Sequence, residues 1–93
     1  MKRNSDIQKQ TIQVLAALFV KGFKQVELAE LRKVVAKRLD KDIHGNNFRK
    51  SCETLEERGL IVREKPHVVW HVKLTAEGFD LAMELEEAES EDK

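Results

Sequence analysis

The stretch Ile43-His44-Gly45-Asn46-Asn47-Phe48-Arg49-Lys50-Ser51-Cys52-Glu53-Thr54-Leu55-Glu56-Glu57-Arg58-Gly59-Leu60-Ile61 decides how this 93-residue chain folds. Phe48, Cys52, Leu55 and Gly59 recur at helical spacing, so a helix with one apolar stripe is expected from near Asn46. The same wheel turns Asn46, Lys50, Glu53 and Glu57 to the opposite face, with Asn47 and Thr54 beside them. Gly59 stops the helix, and the apolar period then changes from helical to alternating. Leu60 to Lys65 reads as a strand, Pro66-His67 as a turn, and Val68 to Leu74 as the return strand. Alternation puts Val68, Trp70, Val72 and Leu74 in the inward row and Val69, His71 and Lys73 in the outward row.

Upstream, Ser5 with Gln8 three residues later has the spacing of a capping box, predicting a first helix from about Asp6 to Lys21 that ends at Gly22. Ile7, Val14 and Leu18 share one face, Ile12, Leu15 and Phe19 a second, and Ala16, Ala17 and Val20 fill much of the remainder. A helix apolar on most sides is covered on most sides, by its own domain or by a partner chain. Phe23 to Val26 is a short extended connector. Glu27 to Leu39 is a second helix, with Leu28, Leu31, Val35 and Leu39 inward and Arg32, Lys33, Lys37 and Arg38 on its solvated side. Asp40-Lys41-Asp42-Ile43-His44-Gly45 breaks it with turn-forming residues around one apolar anchor. After the hairpin, Thr75 caps a last helix from about Ala76 to Ala88. Phe79, Ala82 and Met83 form one of its stripes and Leu81, Leu85 and Ala88 another, which asks for two partners; the second is expected to be another copy of the chain. The domain spans residues 1–88, and an acidic tail occupies 89–93.

Composition agrees with one small domain, because 41% hydrophobic residues can form a core while 37% charged residues solvate its surface. The net charge of zero hides an asymmetry. Glu84 to Lys93 holds six acids and one lysine; without it, 16 basic residues face 11 acidic ones, a body of +5 that is compatible with a polyanionic partner. The single Cys52 allows no intramolecular disulfide, and no apolar run is long enough to span a bilayer, so a cytoplasmic protein is expected.

The fold class predicted is α+β and mostly helical. Leu55-Glu56-Glu57-Arg58-Gly59-Leu60-Ile61-Val62-Arg63, followed by Lys73-Leu74-Thr75-Ala76-Glu77-Gly78, resembles the recognition helix, wing and following helix of winged helix-turn-helix regulators of the MarR and PadR groups. Leu28-Ala29-Glu30-Leu31 resembles the start of their helix-turn-helix. The resemblance implies three helices, a two-stranded β-hairpin wing and a C-terminal helix. It also implies that the third helix enters the major groove of duplex DNA while the wing touches backbone or minor groove. On the matching positions, Asn46 and Asn47 offer paired donors and acceptors to adenine, Lys50 reaches guanine or phosphate, and Arg49 holds phosphate. Thr54 lies on the same face, and Lys65, His67 and Lys73 supply the wing contacts. The expected partners are duplex DNA and a second copy, joined through the first and last helices. The alternative is a winged helix that binds a protein, which Glu53, Glu57, Asp40 and Asp42 near the same surface favour.

Other chemistries are expected to be absent. His67 and His71, four apart on a strand, stand roughly 13 Å from each other and share no metal ion. Cys52 faces inward and has no orienting partner beyond His44, and the four glycines form no phosphate loop, so neither an enzyme nor a cofactor or small-molecule site is expected. Trp70 and Phe48 are read as core, leaving no aromatic platform for single-stranded nucleic acid. Lys2, Arg3 and Lys9 are read as a solvated terminus.

Overall fold

Four helices and three short strands follow one another as α1 (Asp6–Val20), β1 (Val26–Glu27), α2 (Leu28–Leu39), α3 (Gly45–Glu57), β2 (Ile61–Glu64), β3 (His71–Leu74) and α4 (Ala76–Glu91). The computed structural model describes residues 6–91, with side chains to residue 88. The Ser5 cap, Lys2 and Arg3, and the side chains of the acidic tail lie outside the described residues. The backbone of α4 continues past Ala88 to Glu91, so the helix runs on into the stretch expected to be tail.

The core is assembled from the predicted stripes. Ile12, Val14 and Leu15 of α1, Leu31 and Val35 of α2, Phe48, Cys52 and Leu55 of α3, Ile61 and Val72 of the sheet, and Ala82 of α4 are all buried. Thr11 is buried among them because its hydroxyl donates to the Ile7 carbonyl 2.7 Å away, so no polar atom is stranded. Ile43, the apolar anchor of the turn between α2 and α3, is buried as well, and Arg32 donates to its carbonyl at 3.0 Å.

Helix ends set the angles between these elements. After α2, Asp40 takes a left-handed φ of 57°, and the Asp40 and Lys41 amides donate to the Lys37 and Ala36 carbonyls, which turns the chain sharply toward α3. After α3, Gly59 takes a φ of 79° and the Leu60 amide donates to the Leu55 carbonyl, delivering Leu60 to the core and Ile61 to the first ladder pair. Thr75 caps α4 as expected: its hydroxyl accepts from the Gly78 amide at 3.0 Å and donates to the Gly59 carbonyl at 2.7 Å.

Two features of the sheet differ from the sequence reading. The sheet has three strands in the order β1-β3-β2, both neighbours antiparallel to β3. Val26 pairs with Val72 and Glu27 with His71, so the connector expected before α2 covers the open edge of β3. A strand of two residues has no periodicity to detect. The hairpin itself is shorter than expected, since the last ladder pair is Glu64 with His71, and residues 65–70 form a loop. Val72 is buried and Leu74 half-buried, as alternation requires, but Val68 is 83% exposed and Trp70 38%. Those two belong to no core, because the loop projects beyond the last ladder pair. Pro66 brings no amide to a ladder there, and Val68-Val69-Trp70 is a continuous apolar run rather than an alternating one.

Candidate nucleic-acid interface

Burial of Phe48, Cys52 and Leu55 fixes the rotation of α3, and that rotation leaves Asn46, Asn47, Arg49, Lys50, Glu53, Thr54 and Glu57 exposed. His44 is the N-cap residue, with extended backbone and no side-chain cap, so the first-turn amides of α3 are open to an external acceptor. No acidic residue stands in that first turn. Arg49 donates weakly to Asn46 Oδ1 at 3.5 Å, which gathers an amide and a guanidinium at the open helix end. Glu53 is the first acidic side chain along the helix, and Thr54 and Glu57 follow it, farther from the open end.

Around this helix the cations divide into committed and uncommitted. Arg32, expected on the solvated side of α2, is half-buried and ties down the Ile43 carbonyl. Lys33 pairs with Glu30 at 3.7 Å, and Arg38 donates to Gln10 at 3.4 Å. On the wing, Arg63 is the most occupied: its Nε lies 3.0 Å from Glu56 Oε1, its amide donates to Glu56 Oε2 at 3.2 Å, and its guanidinium stands 5.2 Å from the centre of the Trp70 ring. Lys65 also approaches that ring, at 5.5 Å, and Lys73 pairs loosely with Glu64 at 3.6 Å, both partners half in solvent. His67 is exposed at the loop.

The wing loop and the start of α3 open onto one cleft of about 310 Å³, between Leu28 and Arg32 of α2, Gly45 and Phe48 of α3, and Val68 and Trp70. The Leu28 amide donates to the Trp70 carbonyl at 2.9 Å and holds this edge of the cleft in place. Arg63, Val68 and Trp70 are the residues of this surface that sequence reasoning did not assign to it. The unalternated run beside Pro66 was the available signal for the last two; Arg63 gave none, since its bond to Glu56 spans two elements.

Elsewhere, Cys52 is fully buried and burial pushes its thiol up to about 12, so it is a packing residue without nucleophilic character. Among the described residues no three His, Cys, Asp or Glu side chains gather to hold a metal ion, and no helix is long and apolar enough to cross a membrane.

No protein-family model matches the chain, and no curated protein matches it by sequence. Solved structures do. RosR of H. salinarum superposes with a TM-score of 0.77 at 19% identity over 94% of this chain and 76% of its own. F-93 of SSV1 gives 0.64 at 20% identity, covering 87% and 86%. The protein from STIV described as a winged-helix DNA-binding protein gives 0.64 at 23% identity, covering 81% and 82%. At these identities the likeness is one of architecture. Four helices around a small antiparallel sheet, in this order and with these neighbours, make the chain a winged helix.

Proposed function

We propose that this chain binds duplex DNA in a sequence-specific manner and regulates transcription by occupying an operator, as a regulator of the MarR and PadR kind. The observation that carries the reading is the first turn and a half of α3, where Asn46, Asn47, Arg49 and Lys50 are exposed and no acid intervenes. In the major groove the two amides face adenine edges, Lys50 faces guanine or a phosphate, and Arg49 holds the backbone. Thr54 contributes only at deeper insertion, while Lys65, His67 and Lys73 of the wing face phosphates. Lys73 is available because its pair with Glu64 is solvent-exposed and weak. The winged-helix DNA-binding protein of STIV, sharing the fold, supports the same assignment. Binding is occupancy, with no chemistry on the nucleic acid.

The protein acts as a homodimer through α1 and α4. Phe19, Val20 and Met83 are exposed large apolar side chains of these helices, and Phe19 packs against Phe79 with ring centres 5.8 Å apart, joining the two helices into one apolar face. Two copies of α3 then address half-sites about 34 Å apart.

Exposed Glu53 and Glu57 favour one competing reading, a winged helix that docks onto a protein. Titration against random duplex DNA over a range of salt separates the two. Phosphate contacts give a linear fall of log affinity with log salt. Absence of binding at low salt removes DNA as the partner.

A further inference from the structure

Arg32 is half-buried and makes no ion pair among the described residues, donating instead to the Ile43 carbonyl at 3.0 Å. A guanidinium carries several N–H donors, so this bond leaves donors to spare and the charge without a counter-ion. Asp42, which lines a neighbouring recess with Arg32, closes no ion pair with it. Among the described residues Arg32 is also the one charged side chain lining the cleft of about 310 Å³, whose apolar walls include Leu28 and Ala29 of α2, Phe48 of α3, and Val68 and Trp70 of the wing loop. Gly45 brings the uncapped start of α3 to the same place.

We propose that this cleft docks an acidic segment of a partner protein, which inserts one large apolar side chain between α2 and the wing loop and sets a neighbouring carboxylate on Arg32 and the first amides of α3, and that such a partner excludes duplex DNA. The exclusion rests on the DNA-binding reading; the docking stands without it.

Charge and walls point to that occupant together. A phosphate backbone answers the charge of Arg32 but leaves the apolar walls without an apolar partner. A neutral apolar side chain covers the walls but leaves the guanidinium without a counter-ion. A carboxylate beside an apolar side chain does both, and its bonds to a guanidinium and to helix-start amides are charge-assisted. The site is held open by the fold itself: the Leu28 amide donates to the Trp70 carbonyl at 2.9 Å, Phe48 is anchored in the core, and Arg63 stands 5.2 Å from the centre of the Trp70 ring. Because the start of α3 serves the segment and the duplex alike, the two compete.

The test selects random peptides displayed on phage against the full chain, then titrates the enriched peptides in synthetic form, reading the emission of Trp70, the chain's one tryptophan. Enriched sequences are expected to share a large apolar residue with Asp or Glu beside it, to shift Trp70 emission to the blue as the ring is covered, and to displace a labelled duplex that the wild type has selected. Ala29→Gln puts a polar side chain into the cleft from an exposed position, and Arg32→Gln removes the charge. Each is expected to weaken peptide binding about tenfold. Arg32→Gln also loses the bond to Ile43, so thermal melts check its fold; where it unfolds, Ala29→Gln and peptides with the acid replaced by its amide carry the test. No enriched peptide, enriched peptides without an acid, or equal affinity for Ala29→Gln overturns the docking site and leaves DNA binding by α3 untouched. A peptide bound together with the duplex overturns the exclusion. A wild type that takes the peptide but selects no duplex upholds the docking site and removes the DNA reading.

Discussion

At Gly78 the first turn of α4 rests on the backbone of Leu60. A β-carbon there would overlap the Leu60 carbonyl oxygen and stand 2.8 Å from Leu74 Cδ1. That carbonyl also accepts the Thr75 amide, so it cannot retreat without breaking the junction between the sheet and α4. Gly78→Ala, helpful in an ordinary helix, is therefore expected to destabilise the fold by at least about 2 kcal/mol, readable by denaturant unfolding. Cys52 makes the opposite kind of prediction. Its thiol is raised by burial from 9.0 to about 12, with Glu56 and Glu53 adding to the rise and Arg63 opposing it. The unfolded chain loses this proton first, so the stabilisation is complete below pH 9.0 and drains away as pH climbs toward 12. Unfolding at graded alkaline pH checks the sign, and a thiol reagent at neutral pH is expected to label Cys52 only after unfolding. The inward direction of Cys52 was legible from its spacing with Phe48 and Leu55. The need for glycine at Gly78 was not, because a contact between a helix turn and a distant carbonyl leaves no trace in local pattern.

Elements were read well where they are long and amphipathic, and poorly where pairing decides them. The predicted bounds of α1, α2 and α3 stand within a residue or so of those observed, since each buries periodic apolar stripes, two of them in α1. By contrast, β1 exists because Val26 and Glu27 find β3, and the wing loop begins where β2 and β3 stop pairing. The link between the wing and α3 is likewise tertiary. Arg63 bonds Glu56 through both Nε and its amide and lies over Trp70, so it sets the wing's angle to the helix it accompanies. Arg63→Ala is expected to cost about 1–2 kcal/mol, moderated by the partial exposure of Glu56, and to shift the emission of Trp70, the chain's one tryptophan, to the red. Unchanged emission would mean that the wing is held without this bond. Of the candidate site, the helix face was legible from its wheel; the apolar loop was not, because Val68 and Trp70 continue the alternation of Val72 and Leu74 past the last ladder pair.

Across the whole molecule, two surfaces of different character stand out. One carries the polar start of α3 and the wing, and the other is the apolar side of α1 and α4. The sequence made α1 apolar on most sides, to be covered by its own domain or by a partner chain, and Val20, 74% exposed, is a part that its own domain leaves uncovered. Val20→Glu combined with Met83→Glu is expected to convert a dimer into a folded monomer at micromolar concentration, measured by sedimentation. A monomeric wild type would contradict the assignment. The formal charge of zero says little about either surface, because the acids gathered from Glu84 onward mask a basic body. Whether that body meets phosphates through α3 is the central question. The most direct test compares wild type with the Asn47→Ala, Lys50→Ala double variant on duplexes selected by the wild type, over a range of salt. The account predicts a clear salt slope for the wild type and, for the variant, affinity lower by about 2–4 kcal/mol with a slope smaller by about one. Equal affinity of the two proteins, or no duplex bound by the wild type at low salt, would contradict it.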